Sequence, residues 1–230
     1  MHKHIIAIGG GGFGRSSGKL KIERYIKSLS KPKHPRICFI PTATGDDNNY
    51  KVSFYKIFSS IGCKPSHIDL FKRTLDLKHH INKQDIIYVG GGNTRSMLAV
   101  WKEWGLDIIL KKAYDKGIVM SGVSAGAICW FEKGITDSIE SNLSIMNCLG
   151  LIKGTCCPHF DEEKERMSYV EKVINKKLIK NCIAIEGNSA LHIKDGNYFR
   201  NISFGKRKRS YFLSRGKGKI QKVSFKSKQI

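Results

Sequence analysis

Residues 118–127 read Ile118-Val119-Met120-Ser121-Gly122-Val123-Ser124-Ala125-Gly126-Ala127, an apolar run that leads into a serine flanked by small residues. The pattern G-x-S-x-G after a strand describes a strand-to-helix turn so sharp that only small flanking residues avoid collisions. The serine of such a turn adopts a strained backbone conformation at the N-terminus of the helix that follows. Residues 128–131 look helical, so Ser124 is predicted to be a nucleophile. The alternative is that it only caps the helix.

The rest of the chain alternates between strand-like and helix-like segments. Short apolar runs bounded by glycine or proline have the length of buried parallel strands, at residues 5–8, 37–40, 86–89 and 118–120. Segments with helical spacing lie at 20–29, 52–61 and from 97 onward. This alternation predicts an α/β fold with a parallel doubly wound sheet and helices on both faces. Beyond residue 182, short runs separated by turns such as Asp195-Gly196-Asn197 predict a β-rich C-terminal end.

The charge is distributed unevenly over the 230 residues. The chain has 41 Lys+Arg against 19 Asp+Glu, a formal net charge of +22, and 40% hydrophobic residues, which is enough apolar content for a folded core. Ten of the basic residues and none of the acidic ones lie from Gly205 to Ile230. We therefore expect a single α/β domain over 1–204 and a basic C-terminal extension over 205–230, whose strand-like residues pack on the same domain.

The basic extension bears on possible partners. Lysines and arginines at 206–228 are able to contact a nucleic acid backbone, but no recognition motif accompanies them, and solvated rows on terminal strands explain them better. No stretch approaches the roughly 18 apolar residues of a membrane span, and no signal-peptide pattern follows Met1. With seven cysteines mostly in apolar runs, this favours a cytoplasmic protein with reduced thiols and no membrane partner. The sequence leaves open whether the protein forms a homo-oligomer.

A glycine run, Gly9-Gly10-Gly11-Gly12-Phe13-Gly14, follows the first strand and formally satisfies the dinucleotide-binding pattern. The second strand, however, ends Phe39-Ile40-Pro41-Thr42, without the acidic residue that would hold a ribose hydroxyl. The run is better interpreted as a glycine-rich turn at the carboxyl edge of the sheet. No second Cys or His pair at metal-binding spacing accompanies His159. We therefore expect neither a cofactor nor a metal.

A serine nucleophile needs a base, and His159 stands apart among the eight histidines. It lies in Cys156-Cys157-Pro158-His159-Phe160, where a proline fixes the backbone and acidic residues follow. A histidine at the surface of a cleft can take the serine proton and return it to a leaving amine. A third group must orient the imidazole, and two carboxylates qualify, Asp137 and Glu186. The residues alone do not choose between them.

The loop Gly90-Gly91-Gly92-Asn93-Thr94 ends one predicted strand and begins a helix that Asn93 or Thr94 is able to cap. Its amides are candidates for the second oxyanion donor, beside the amide of Ala125. The alternative is a tight turn with no role in binding.

Together these motifs resemble the peptidase E family of aspartyl dipeptidases, serine peptidases related to cyanophycinase and, more distantly, to class I glutamine amidotransferases. The resemblance spans residues 4–203 and rests on the loop 90–94, on Ser124-Ala125-Gly126-Ala127, on the histidine segment 156–160 and on Glu186-Gly187. It implies a glutamine amidotransferase-like fold with Ser124 as nucleophile and His159 as base. It also implies that Asp137 or Glu186 stands behind the imidazole and that the amides of Gly92 and Ala125 form the oxyanion hole.

The resemblance also implies a substrate. The family's typical activity removes an N-terminal aspartate from short peptides, and the substrate carboxylate meets an arginine in the helix after the histidine. Arg166 is similar in position, with Asn93 and Thr94 as further substrate-binding candidates. An exposed Arg166 paired with Glu162 or Glu163 is the alternative.

Three other functions compete with this one. The first is a cyanophycinase-like or isoaspartyl peptide hydrolase, and the second is a non-catalytic module that uses the basic extension on nucleic acid. An α/β-hydrolase esterase fits least, because His159 follows Ser124 by only 159 − 124 = 35 residues.

Overall fold

The structure is a computed structural model that describes residues 2–13, 19–73, 76–139, 142–216 and 218–230. Gly14, the last residue of the glycine run, and Lys217 of the basic extension lie outside these ranges. In chain order the elements are β1 (His4–Ile8), α1 (Lys21–Lys27), β2 (Arg36–Ile40), a 3₁₀ turn (Thr42–Thr44), α2 (Asn48–Ser60), β3 (Lys64–His67), α3 (Leu77–Asn82), β4 (Ile86–Val89), α4 (Thr94–Glu103), α5 (Leu106–Asp115), β5 (Val119–Val123), α6 (Ala125–Ile128), β6 (Phe131–Ile139), β7 (Asn142–Asn147), β8 (Ile152–Cys157), α7 (Lys164–Asn175), β9 (Asn181–Ile185), β10 (Ser189–Lys194), β11 (Asn197–Ser203), β12 (Ser210–Arg215), β13 (Ile220–Ser224) and β14 (Ser227–Gln229).

The central sheet contains the four predicted strands. Across the described residues it has eight strands in the order β14-β11-β10-β1-β5-β4-β2-β3. The five strands from β1 to β3 in this order pair in parallel, so their carboxyl ends meet at one edge. β10 and β11 form an antiparallel hairpin around Asp195-Gly196. The predicted parallel α/β sheet and its C-terminal hairpin are therefore confirmed.

Helices cover both faces of this sheet, as the alternation predicted. One face packs on α1 and α2, where the rings of Phe39 and Phe54 stack with their centroids 4.6 Å apart. The other face packs on α3, α4 and α5, and Trp101 of α4 is fully buried there. Truncating a buried aromatic such as Phe54 to alanine is expected to cost about 3–5 kcal/mol of folding stability. The core thus holds the carboxyl edge of the sheet rigid from both sides.

A second sheet, which the sequence did not predict over its full extent, lies beyond the helical face. In the part of the chain that the structure describes, it has six strands in the order β13-β12-β9-β8-β6-β7. The helical interpretation of 128–131 is wrong beyond Ile128, because the chain leaves α6 and enters β6. The carbonyls of Cys129 and Trp130 accept hydrogen bonds from the Leu149 and Ile152 amides, 2.9 Å away in each case, instead of continuing the helix.

The basic extension contributes strands to both sheets. β12 pairs with β9 and with β13, and β14 pairs with β11. Helix α7 packs its apolar side on the second sheet, where Val170 and Ile174 meet Cys182 and Leu213. The extension is therefore built into the fold beside the end of β9.

All seven cysteines are free, and six of them are buried. Burial raises the pKa of the Cys38, Cys148 and Cys157 thiols to about 12. These thiols are protonated at neutral pH and serve as apolar packing groups. None of the helices within the described ranges combines the length and apolar character needed to cross a membrane.

Candidate active site

Ser124 lies at the tip of a strained turn between β5 and α6. Its backbone has φ 56° and ψ −114°, a region that L-residues rarely adopt. Its amide donates to the Ile8 carbonyl at 3.0 Å, which ties the turn to the end of β1. The Ser124 side chain makes no capping hydrogen bond to α6. Ser124 therefore does not act as a helix cap through its side chain. Its hydroxyl is available to the adjacent cavity.

The glycines around Ser124 are required by close backbone contacts. A Cβ atom built on Gly122 would lie 2.3 Å from the Gly126 carbonyl oxygen, and one built on Gly126 would lie 2.2 Å from the Val89 oxygen. Real Cβ atoms do not approach oxygen that closely. The two small residues thus let α6 start directly against the sheet, as the G-x-S-x-G pattern predicts.

The glycine loop after β4 lies beside Ser124. A Cβ on Gly91 would come 3.1 Å from the Ser124 Cβ and 3.7 Å from its Oγ. Gly92 has φ 135°, and a Cβ there would lie 2.3 Å from the Ala43 carbonyl oxygen. Gly92 lines the same cavity as Ser124. The amide of Ala125, the residue after Ser124, opens α6 without an acceptor in the helix, so it and the Gly92 amide remain the expected oxyanion donors.

His159 follows β8 and is held by the glycine run. Its backbone has φ 53°, and its amide donates to the Gly9 carbonyl at 3.0 Å. The run therefore supports the histidine turn, a role that the dinucleotide pattern did not suggest. His159 and Ser124 line one cavity. The two side chains, both within the described ranges, make no direct hydrogen bond, which is common in such sites before a substrate is bound.

The carboxylate that contacts the imidazole is Glu162. Its Oε2 pairs with His159 Nδ1. The structure places neither carboxylate proposed from the sequence at this position. Glu186 accepts hydrogen bonds from the Arg209 amide at 2.8 Å and the Tyr211 hydroxyl at 3.0 Å. These contacts turn Glu186 toward the basic extension, so its expected role as the orienting group is not supported.

Asp137 is the other carboxylate proposed from the sequence, and it lies in the cavity wall instead of behind the imidazole. Its side chain is 66% exposed, and its Oδ2 is 4.0 Å from Nη2 of Arg166. Asp137 therefore faces the space in front of Arg166. Its position suits contact with a substrate better than orientation of His159.

Glu162 is enclosed by two glycines that have no room for a side chain. A Cβ on Gly10 would lie 2.4 Å from Glu162 Oε2 and 2.9 Å from His159 Nδ1. A Cβ on Gly187 would lie 2.1 Å from Glu162 Oε1. The loops after β1 and β9 thus hold the histidine and its carboxylate between them.

The three consecutive acids 161–163 have three separate partners. Asp161 accepts from the Gly187 amide at 2.7 Å and pairs with Lys208, whose pKa it raises through their hydrogen bond. Glu162 pairs with His159, and Glu163 accepts from Nε of Arg166 at 2.7 Å. The three acidic residues therefore stabilise the turn after His159 through contacts with three different parts of the protein.

Arg166 is buried, in contrast to the exposed alternative. It is 2% exposed overall, lines the cavity, and donates through Nη1 to the Ile135 carbonyl at 3.3 Å. Burial disfavours its charge and is the largest single influence, but the interactions with Glu163 and Cys157 together outweigh it, so the pKa of Arg166 is raised. The guanidinium is therefore a permanent cation in the wall of the site.

Asn93 and Thr94, the remaining substrate-binding candidates, differ in position. Asn93 lines the cavity, although its Oδ1 caps α4 by accepting from the Ser96 amide at 2.8 Å. Thr94 is 1% exposed, and its amide donates to the Ser138 hydroxyl at 2.8 Å. Thr94 is not among the described lining residues of the cavity, so it supports the wall from behind.

The cavity has a volume of about 720 Å³ and two walls. One wall comes from β6 and α7 and carries Asp137, Glu163 and Arg166. The other comes from the start of α2 and carries Asp47 and Tyr50. Ser124 and His159 line the same space, together with residues of the glycine loops. The volume suits a short peptide.

Sequence reasoning missed Glu162 and Tyr50. Glu162 follows His159 by three residues, a spacing that allows a contact within a single turn and was a usable signal. Tyr50, whose hydroxyl lies 3.4 Å from the Gly91 amide, had no signal, because the contact joins segments 41 residues apart. No group of three or more metal-ligating side chains occurs among the residues with described positions.

The chain is similar in sequence to known peptidases. The family model of Peptidase family S51 matches residues 5–200. The Uncharacterized peptidase YgaJ of Bacillus subtilis is 42% identical over 229 residues, which are 99% of each chain. The Uncharacterized peptidase Lmo0363 of Listeria monocytogenes is 27% identical over 158 residues, which are 64% of this chain and 76% of that protein.

A solved structure shows the same fold. A Listeria monocytogenes protein described as a peptidase E superposes with a TM-score of 0.66 at 20% identity, over 89% of this chain and 100% of its own. The family model and the sequence relatives confirm the resemblance to this peptidase family and the hydrolytic, peptide-cleaving class of the enzyme, and the solved structure confirms the fold. The chain belongs to peptidase family S51, a family of serine peptidases.

Proposed function

We propose that the chain is a dipeptidase that removes an N-terminal aspartate from short peptides through an acyl-enzyme. The observation that carries the proposal is Arg166, a buried guanidinium in the wall of the cavity that Ser124 lines. A planar guanidinium binds a carboxylate through paired hydrogen bonds. Carboxylates accompany it in the same wall, so this wall suits a residue with one negative and one positive charge.

An N-terminal aspartate has that charge pattern. Its side-chain carboxylate would meet Arg166, and its α-ammonium would meet Asp137, which is 4.0 Å from the guanidinium. Glu163 neutralises part of the Arg166 charge through Nε. Nη1 also donates to the Ile135 carbonyl at 3.3 Å, so the donors that we expect a substrate carboxylate to use are the remaining N–H groups of the two Nη atoms. Peptides with a blocked N-terminus would lose the ammonium contact, which favours an exopeptidase.

The reaction would begin with Ser124. Its Oγ attacks the carbonyl carbon of the scissile bond while His159 Nε2 takes the hydroxyl proton. Glu162 holds Nδ1, which fixes the tautomer that leaves Nε2 free and stabilises the imidazolium that forms. The amides of Gly92 and Ala125 would stabilise the oxyanion.

Collapse of the tetrahedral intermediate breaks the C–N bond, and the imidazolium gives its proton to the leaving amine. Water, deprotonated by the same imidazole, then attacks the acyl-enzyme and releases aspartate, which restores Ser124.

A panel of dipeptides tests the proposal. Wild type and Ser124→Ala are incubated with α-Asp-Leu, β-Asp-Leu, Glu-Leu, Ala-Leu and β-Asp-Arg, and the products are measured by mass spectrometry. Cleavage of α-Asp-Leu by wild type alone is expected. Cleavage of the β-linked peptides instead would identify a cyanophycinase-like or isoaspartyl hydrolase. Equal cleavage of Ala-Leu and α-Asp-Leu would refute the role of Arg166.

A further inference from the structure

The cavity has an acidic lining in a strongly basic protein. The chain carries a net charge of +22, yet the described lining contains three carboxylates, Asp47, Asp137 and Glu163, and one guanidinium, Arg166. No lysine is among these lining residues. Two of the carboxylates belong to the wall of Arg166. Asp47 stands on the other wall, which a bound N-terminal aspartate does not use.

The two walls lie on different sides of the central sheet. Asp47 immediately precedes α2, whose Phe54 and Phe58 pack on one face of that sheet. Arg166 belongs to α7, which packs on the second sheet beyond the other face. Ser124 lies at the edge between them. A peptide bond held at Ser124 therefore directs its N-terminal residue to one wall and its leaving residue to the other.

The wall of α2 combines an aromatic surface with a carboxylate. The rings of Phe13 and Tyr50 are stacked, with centroids 5.0 Å apart and planes at 22°, and both residues line the cavity. Asp47 lies at the exposed start of the same helix. An aromatic surface ending at a carboxylate matches a side chain with an apolar stem and a cationic head.

Asp47 keeps negative charge available although it caps α2. Its Oδ1 accepts from the Tyr50 amide at 2.7 Å, which leaves Oδ2 without a role in the cap. The partial charge at a helix N-terminus is about half an elementary charge, so a full carboxylate charge is only partly compensated there. The nearby Lys51 is turned away, because its Nζ pairs with Asp69 at 2.8 Å.

From this arrangement we propose that the leaving-group subsite selects lysine or arginine after the scissile bond, with Asp47 as the residue that determines the preference. The inference rests on the proposed function, since it takes the wall of Arg166 as the place of the N-terminal residue. The preferred substrates are short peptides that begin Asp-Lys or Asp-Arg.

Rates with Asp-Lys, Asp-Leu and Asp-Glu test the preference in wild type and in Asp47→Asn. Asparagine caps helices as well as aspartate does, so this variant removes the charge and keeps the fold. Asp76→Asn is the matched control. Asp76 caps α3 by the same contact, 2.9 Å to the His79 amide, and is not part of the cavity.

We expect kcat/KM for Asp-Lys to exceed that for Asp-Leu about two- to fivefold, with Asp-Glu slowest, in keeping with an exposed ion pair. Asp47→Asn should bring the ratio of Asp-Lys to Asp-Leu to about one, and Asp76→Asn should leave it unchanged. A ratio near one in wild type, or one that survives Asp47→Asn, overturns the proposal.

Binding separates this inference from the proposed function. Calorimetry with Ser124→Ala and the same peptides measures the subsite without turnover. Tighter binding of Asp-Lys than of Asp-Leu, lost in the double variant with Asp47→Asn, supports the subsite even where wild type cleaves none of them, a result that would refute only the dipeptidase. Equal binding, or no binding of either peptide, refutes the subsite.

Discussion

The serine turn (122–126) and the histidine turn (158–163) hold two residues that line one cavity, and they do so by different means. Ser124 and His159 both have positive φ, 56° and 53°. The serine turn is shaped by close backbone contacts, because Gly122 and Gly126 leave no room for a side chain. The histidine turn is fastened by charged side chains, since each of its three acids pairs with a different group.

The comparison teaches that the two turns should respond differently to substitution. In the serine turn the backbone contacts maintain the conformation. Substitution of Ser124 therefore removes only the reacting hydroxyl group. In the histidine turn several partners each contribute part of the positioning. A graded series of losses is therefore expected there, and four predictions test that contrast.

The largest effect is expected for Ser124→Ala. Loss of the nucleophile should lower kcat by about 10⁴-fold or more, since no neighbouring group replaces the attacking oxygen. The far-ultraviolet circular dichroism and the melting temperature should stay close to wild type, because alanine fits a small-residue turn. Activity that persists in this variant would assign the nucleophile elsewhere.

Next in size is Glu162→Gln, which removes the charge behind His159. We expect kcat to fall about 10²- to 10³-fold, because the imidazolium loses its partner and the tautomer is no longer fixed. Glu186→Gln serves as the control, since Glu186 bonds to Arg209 and Tyr211, and it should cost less than about threefold. If Glu186→Gln caused the greater loss, the assignment of the orienting carboxylate would be reversed.

Gly10→Ala tests how tightly the histidine turn is enclosed. The added methyl would lie 2.4 Å from Glu162 Oε2, so the pair must shift, and kcat should fall about ten- to a hundredfold with the preference for N-terminal aspartate unchanged. Gly105→Ala, where a Cβ meets no atom within 4 Å, is expected to affect stability alone. Steady-state kinetics and thermal melting curves distinguish the effect on activity from the effect on stability in these two variants. Full activity in Gly10→Ala would mean that the turn yields easily.

The smallest effect is expected for Lys208→Met. Lys208 pairs with Asp161, but the Gly187 amide still holds that carboxylate at 2.7 Å, so kcat should fall by about threefold with KM unchanged. Lys206→Met, at an exposed lysine two residues earlier, is the control and should match wild type. A loss as large as that of Glu162→Gln would show that the basic extension governs the turn.

The features that the sequence predicted differ from those it did not in the same way as the two turns differ. The strands, the helices and the serine turn were predictable, because periodicity and small-residue requirements are local properties. The second sheet was not predictable, and the three-residue spacing of Glu162 from His159 was a signal that did not by itself exclude Glu186. β6 depends on pairing with β8, which is distant in sequence. The choice of Glu162 over Glu186 depends on Arg209 and Tyr211, which belong to the C-terminal extension and bind Glu186.

The buried cysteines offer a way to follow unfolding of the two sheets without any engineered label. Cys38 belongs to β2 and Cys157 to β8, and burial raises the pKa of both thiols to about 12. An alkylating reagent reacts with thiolates, so each cysteine is modified only when its own sheet opens to solvent. Peptide mapping after timed alkylation would therefore report opening rates for the nucleophile's sheet and the histidine's sheet separately, in a single sample of the unmodified enzyme.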